Sequence, residues 1–243
     1  HTGGLRGVES AAAAGFVAGD ADRELEVLAS VREEEYPRIA EYRSRTPLPV
    51  REAAAGCVFD IGIRAFCGSH TAFVRITGHH TNVVRLEKDE NVLINRTESG
   101  EADPASDPLT VRAIVEFAKE DDLSEVKEAL ERQIEYNTAI CDEGLRNDWG
   151  ARVGKTLLNA FGDDIHNRAK AWAAAGSDAR MNGCPLPVVV VSGSGNQGIT
   201  ASVPVIAYAR HLNVPHEQLL RALALSDLVT IHLKSGIGRL SAY

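Results

Sequence analysis

Hydrophobic residues recur at helical spacing through most of the chain and at strand-like spacing in one section. Over residues 8–44 they predict two helices, separated by a break near Gly19–Asp22. After residue 108, apolar positions three and four residues apart predict further helices, the last of them opened by Pro215. Residues 54–96 instead carry β-branched residues between turn sequences, and they predict three or four antiparallel strands.

These patterns together predict an α+β fold. We expect residues 1–50 and 100–243 to form a predominantly helical core, and residues 51–99 to form a small antiparallel β insertion. The length of 243 residues is enough for one large domain or two small ones.

The densest group of small polar residues lies between a short apolar run, Val188–Val191, which predicts a buried strand, and another helical pattern. It extends from Ser192 to Gly198 and has the sequence SGSGNQG. Glycine is favoured where the backbone takes a positive φ or approaches another group closely. Backbone N–H groups at the start of a helix attract anions, because the helix macrodipole is positive there. The sequence therefore predicts a binding site for a carboxylate or a phosphate at this glycine turn.

Two other interpretations of the glycine turn stay open. Gly193 to Gly198 matches the G-x-G-x-x-G pattern of dinucleotide-binding proteins, with Glu217 at a suitable distance downstream. That match would make the chain a nucleotide- or anion-binding module. Alternatively, the glycines would only allow the apolar run and the following helix to pack closely.

Composition and charge narrow the range of partners. Hydrophobic residues make up 44% of the chain and charged residues 25%, as is typical of globular proteins. The formal net charge is −8 and no basic tract stands out, so neither nucleic acid nor an anionic membrane is expected as a partner. The sequence shows neither an apolar run of ~20 residues nor the pattern of a signal peptide. The four cysteines match neither a zinc ribbon nor a disulfide scaffold, so we expect reduced thiols in a cytoplasmic protein.

Five segments resemble one protein family, in the same order along the chain. The longest are MNGCPLPVVVVSGSGNQGITASVPVIAYA at 181–209 and ALALSDLVTIHLKSGIGRLSAY at 222–243. HTGGLRG at 1–7, GHHTNVVRLEKD at 78–89 and EGLRNDWGARVGKTL at 143–157 match as well. Together they resemble the L-serine dehydratase-like α family, and within it the cysteine desulfidase branch.

The resemblance implies an iron–sulfur-dependent lyase that performs β-elimination on a small amino acid. L-Cysteine would give pyruvate, ammonia and sulfide, whereas L-serine, the alternative substrate, would give pyruvate and ammonia. Cysteine thiolates would hold a [4Fe–4S] cluster and leave one iron open to the leaving group. Cys184 matches one ligand position of the family, and the other positions are expected before His1 and after Tyr243. We therefore expect the chain to be part of a longer protein.

The resemblance and the residue types together select the candidate site residues. Substrate binding is expected at the glycine turn, through Ser192, Gly193, Ser194, Gly195, Asn196 and Gln197. Lys234 is the candidate base, because burial lowers the pKa of a lysine, and Arg239 is a candidate carboxylate clamp. The family's histidine-threonine-asparagine run falls on His80, Thr81 and Asn82, which are expected to line the substrate cavity.

Other polar residues and cysteines are weaker candidates. Lys155 and Arg180 are further candidates for the site. Cys57, Cys67 and Cys141 match no ligand position and are expected to be structural. The expected partner is a small amino acid, and a homodimer is one assembly that the sequence allows.

Overall fold

Helices and one antiparallel sheet make up the described parts of the chain, which confirms the α+β fold. The structure is a computed structural model that describes residues 2–53, 59–78, 80–96, 109–120 and 122–235. By its internal contacts the chain divides into two units, His1–Pro104 and Ala105–Tyr243. The sequence-based grouping of residues 1–50 with residues 100–243 stays a prediction.

Two helices of the first unit pack on each other around a small apolar cluster. Helix α1 comprises Val8–Ala18 and helix α2 comprises Tyr36–Arg45, with short 3-10 helices between them. The residues buried in this cluster are Ala13, Ala14, Val31 and Ile39. The break predicted near Gly19–Asp22 lies directly after α1, so the expectation of two helices in this section is correct.

A four-stranded meander makes up the rest of the described first unit. Its strands are β1 (Asp60–Cys67), β2 (His70–Thr77), β3 (Val83–Lys88) and β4 (Asn91–Asn95). They pair in chain order, each antiparallel to the next. Ile61 pairs with Ile76 and Ile63 with Val74, so these apolar side chains share one face. Residues 54–96 therefore contain the antiparallel strands that their β-branched residues predict.

The described second unit is helical. Its helices are α3 (Val111–Glu120), α4 (Ser124–Arg146), α5 (Val153–Phe161), α6 (Ile165–Met181), α7 (Gly195–Leu212) and α8 (His216–Lys234). Helix α6 packs against α4, α5 and α7, and most of its buried residues are alanines. Small side chains let neighbouring helices approach closely. Within the described ranges, no helix is long and apolar enough to cross a membrane.

Helices α7 and α8 form an antiparallel hairpin. The turn between them begins at Asn213, which has a φ of 51°. The hydroxyl of Ser226 in α8 donates a hydrogen bond to the carbonyl of Ala201 in α7 at 2.7 Å. Because the helices run in opposite directions, the last residue of α8, Lys234, lies at the same end of the hairpin as the first residue of α7, Gly195.

Candidate functional site

The glycine turn reverses the chain directly before α7. The backbone groups of Val191 and Ser194 exchange two hydrogen bonds, each 3.2 Å long. The two residues between them, Ser192 and Gly193, have φ angles of 50° and 79°. A turn with positive φ at both central positions is a type I′ turn, and glycine adopts this conformation without strain. The turn therefore places the serine hydroxyls and the start of α7 in one short segment.

The apolar run before the turn is extended, but it is not a strand of a sheet. The sequence suggests a buried strand at Val188–Val191, whereas the structure has a single backbone bridge at Val191. The backbone of Val189 is bound instead by the side chain of Asn137 in α4. Its N–H donates to Oδ1 of Asn137 at 2.8 Å, and its carbonyl accepts from Nδ2 at 3.3 Å. A side-chain amide thus takes the place of a neighbouring strand, which is why the expectation was wrong.

Asn137 also connects this segment to α7. Its Nδ2 atom lies 3.0 Å from the hydroxyl oxygen of Ser202, which donates to the carbonyl of Gly198 at 2.7 Å. Asn137 and Ser202 are both fully buried. A Cβ atom on Gly198 would lie 2.0 Å from the carbonyl oxygen of Val189, so only glycine allows this close approach. Close packing therefore accounts for Gly198, and the network fixes the turn relative to α4.

The first turn of α7 presents hydrogen-bond donors. Ser194 caps the helix, and its hydroxyl oxygen accepts from the N–H of Gln197 at 3.3 Å. The N–H of Gly198 bonds to the carbonyl of Ser194. The N–H groups of Gly195 and Asn196 precede these positions and have no acceptor within the helix. They are therefore available to an anion at the positive end of the helix dipole.

Arg180, in the last turn of α6, lies beside these donors. A Cβ atom on Gly195 would be only 2.4 Å from Nε of Arg180, so the guanidinium passes directly over the first residue of α7. Its Nη1 atom donates to Oδ1 of Asn196 at 3.2 Å. Within the described residues, no carboxylate pairs with Arg180. A guanidinium and a helix N-terminus are both positive, so together they favour an anion between them.

Of the two basic candidates near the end of the chain, the structure describes Lys234 but not Arg239. Lys234 is 6% exposed and ends α8, at the same end of the α7–α8 hairpin as the glycine turn. The role of Lys234 as a base stays a prediction. Arg239 lies outside the described residues.

Cys184 lies at the same end of α6 as Arg180. Its N–H donates to the carbonyl of Ala179 at 3.0 Å, and its side chain is half-buried against the helical core. Burial raises the pKa of the Cys184 thiol, and the nearby carboxylate of Glu143 raises it further. The thiol is therefore protonated at neutral pH unless a cation binds the sulfur.

The other described cysteines have different surroundings. Cys141 is fully buried against Gly176, and burial raises its pKa to about 12. Cys67 is exposed at the end of β1, and Cys57 lies outside the described residues. Across the described ranges, no group of three His, Cys, Asp or Glu side chains could hold a metal ion. A [4Fe–4S] cluster takes three or four cysteine thiolates, so the described residues do not by themselves fit the cluster.

The histidine-threonine-asparagine run belongs to the first unit, in the connection between β2 and β3. His80 packs against Phe59, with 4.8 Å between ring centroids. The side chain of Asn82 donates to the carbonyl of Thr77 at 3.0 Å, which closes this connection, and Thr81 is exposed. The expectation that His80, Thr81 and Asn82 line the substrate cavity stays a prediction.

The site predicted from the sequence did not include Asn137, and Arg180 had no specific role in it. Asn137 is a polar residue within the apolar face of α4, which was a signal of a buried hydrogen-bonded group. Arg180 was a candidate without an assigned role, and the structure places its guanidinium at the start of α7. Lys155 instead bonds to Asp148 at 2.6 Å and to the carbonyl of Arg146, so it stabilises the loop before α5.

Comparison with known proteins identifies the family. The family model described as "Serine dehydratase alpha chain" matches residues 22–243, so the chain belongs to this family. A UPF0597 protein of Desulfitobacterium hafniense is 47% identical over 249 residues, which cover 100% of this chain and 57% of the relative. A UPF0597 protein of Lachnoclostridium phytofermentans is 45% identical, and the match covers 100% of this chain and 58% of the relative. A UPF0597 protein of Fusobacterium nucleatum is 37% identical, and the match covers 99% of this chain and 58% of the relative. The chain thus spans less than two thirds of these relatives. No solved structure matches it.

Proposed function

We propose that the protein containing this chain is a β-elimination lyase that acts on L-cysteine and releases pyruvate, ammonia and sulfide. The observation that carries the proposal is the position of Arg180 over the first residue of α7, beside two backbone N–H groups without helical acceptors. This arrangement suits the carboxylate of an amino acid. Membership of the serine dehydratase alpha chain family supports the reaction class.

In this proposal the glycine turn holds the substrate by its carboxylate and amino group. Arg180 and the N–H groups of Gly195 and Asn196 bind the carboxylate. The hydroxyls of Ser192 and Ser194 and the side-chain amide of Gln197 are the candidate acceptors for the amino group. The substrate would thereby be held at two of the four substituents of its α-carbon, which fixes the direction of the C–H bond.

The elimination itself requires a base and a leaving group. Lys234 is the proposed base, because it is buried at the same end of the α7–α8 hairpin as Gly195. It takes the α-proton, the electrons of the C–H bond form the Cα–Cβ double bond, and the C–S bond breaks to release sulfide. The resulting 2-aminoacrylate tautomerises to an imine, which water hydrolyses to pyruvate and ammonia. Arg239 remains a proposed second contact of the substrate carboxylate. His80, Thr81 and Asn82 remain proposed residues of the substrate cavity.

A [4Fe–4S] cluster is part of the proposal for the whole protein. Cys184 is the proposed ligand from this chain, since it lies at the same end of α6 as Arg180. The described residues alone do not fit a cluster, so further thiolates would have to come from other parts of the protein. Loss of the Cys184 proton would accompany binding to iron.

Two alternatives make different predictions. L-Serine dehydration would use the same carboxylate site and differ in its leaving group. A nucleotide- or anion-binding module without lyase activity would use the glycine turn alone. The dinucleotide alternative lacks support, because its fingerprint requires a parallel β-α-β unit and the sheet of the described residues is antiparallel. Glu217, its proposed ribose contact, binds Arg221 in α8.

Replacement of Arg180 tests the proposal. Arg180→Gln in the full-length protein is expected to lower kcat/KM for L-cysteine about 10- to 100-fold, because one charged hydrogen-bond donor to the carboxylate is lost. Arg168→Gln is the matched control, since Arg168 lies on the same helix and is exposed next to Asp163. Equal kcat/KM values for the Arg180 variant and the control would contradict the assignment of Arg180.

A further inference from the structure

A cavity of about 550 Å³ lies between α3, α4 and α8, and none of its lining residues belongs to the glycine turn. Apolar side chains line it, among them Phe117, Leu130 and Leu228. Its volume is within the range of about 300–1,000 Å³ that is usual for small-molecule sites. The proposed lyase reaction makes no use of this cavity.

Asp227 in α8 is the one charged residue among the described residues that line the cavity. Its Oδ1 atom accepts a hydrogen bond from Nε2 of Gln133 at 3.1 Å. Within the described part of the chain, its second oxygen has no hydrogen-bond partner. Burial raises the pKa of Asp227 to about 6, so the carboxyl is still mainly ionised at neutral pH. Burial of an ionised carboxylate among apolar side chains lowers the stability of the folded state when no cation pairs with it. Asp227 therefore lowers the stability of the protein unless a cation binds beside it.

Gln133 is buried beside Asp227 and is not among the residues that line the cavity. The side chain is 1% exposed, and its Oε1 atom has no hydrogen-bond partner within the described residues. Its amide therefore bonds to Asp227 through the donor side alone. Such buried and unsatisfied polar atoms are rare in folded proteins. Gln133 therefore supplies Asp227 with a hydrogen bond but with no positive charge.

We infer that this cavity binds a small molecule with an apolar body and a protonated amino group, whose ammonium pairs with Asp227. The ammonium supplies the cation and the hydrogen-bond donors that Asp227 lacks. The apolar body, an alkyl chain or a ring, fills the space between Phe117, Leu130 and Leu228. An anionic ligand would instead place a second negative charge beside the carboxylate, so it is excluded at neutral pH.

Calorimetric titration of the full-length protein with hexylamine and with hexan-1-ol tests this inference. The two probes share one alkyl chain and differ in charge. Hexylamine is expected to bind about tenfold or more tightly, because it alone forms a charged hydrogen bond. Asp227→Asn is expected to abolish this difference. Equal affinities in the unchanged protein, no binding of hexylamine, or an unchanged preference in the variant would each overturn the inference.

Two further measurements locate the bound amine. Ala129→Trp places a large side chain at an exposed position of the cavity wall and is expected to block hexylamine. Undiminished binding by this variant would contradict the location. Near pH 6, the ammonium is expected to displace a proton from Asp227, so the heat of binding depends on the ionisation enthalpy of the buffer. A heat independent of the buffer would overturn the inference even if Asp227→Asn failed to fold.

Discussion

Asn137 binds both backbone groups of Val189, with an N–H···Oδ1 distance of 2.8 Å and an Nδ2···O distance of 3.3 Å. These bonds resemble those between two strands, but one partner is a buried side chain of helix α4. The bonded segment leads directly into the glycine turn. The position of the proposed carboxylate site therefore depends on a residue in α4 that does not contact the substrate in our account.

Replacement of Asn137 is expected to destabilise the protein. Asn137→Ala leaves the N–H and carbonyl of Val189 without a partner and removes the hydrogen bond that the hydroxyl oxygen of Ser202 accepts. We expect the free energy of unfolding to fall by about 2–4 kcal/mol, because each unsatisfied buried group carries its own penalty. Urea denaturation measures this change. Asn159→Ala, at an exposed position in α5, is the control and should have little effect. Equal effects of the two replacements would show that the network contributes nothing.

A methyl group at Gly198 is expected to displace α7 from the extended segment. Its Cβ would lie 2.0 Å from the carbonyl oxygen of Val189, which is backbone and cannot rotate away. We expect Gly198→Ala to lower the free energy of unfolding by about 2 kcal/mol or more. Gly15→Ala in α1 is the control, since nothing lies within 4 Å of its Cβ position, and it should stabilise by about 0.5–1 kcal/mol. A Gly198→Ala variant as stable as the unchanged protein would contradict the packing described for α7.

Local patterns predicted the strands of the antiparallel meander, the glycine turn and helix α7. All of these depend on residues that lie close together in the sequence. Gly193 and the hydroxyl of Ser194 have the local roles expected of turn and cap residues. The partner of Val189 was not predictable in this way, since Asn137 lies 52 positions away. The position of Arg180 likewise depends on how the end of α6 meets the start of α7.

Asp227 is expected to make stability depend on pH. Burial raises its pKa from 3.8 to about 6, so between these values the folded state binds a proton that the unfolded state has lost. The resulting stabilisation is complete below the unfolded pKa and is lost as the pH rises through about 6. Across this range, the free energy of unfolding should fall by about 2–3 kcal/mol more in the unchanged protein than in Asp227→Asn. Parallel pH profiles from urea denaturation would contradict the raised pKa.

Replacement of Cys184 is expected to impair cluster assembly. After anaerobic reconstitution of the full-length protein, Cys184→Ser should contain less iron and acid-labile sulfide and show weaker visible absorption, because one thiolate ligand is missing. Cys67→Ser is the matched control, since this cysteine is exposed at the end of β1. Full iron content in the Cys184 variant would rule out the ligand assignment.

The most direct test of the proposed function is product analysis with the full-length protein, reconstituted anaerobically with iron and sulfide. After removal of unbound sulfide, L-cysteine and L-serine are supplied separately, and pyruvate and newly released sulfide are measured. We expect equal amounts of sulfide and pyruvate from L-cysteine, with a higher kcat/KM than for pyruvate from L-serine. Pyruvate from L-serine without sulfide from L-cysteine would contradict the substrate, and no product from either amino acid would contradict the lyase function.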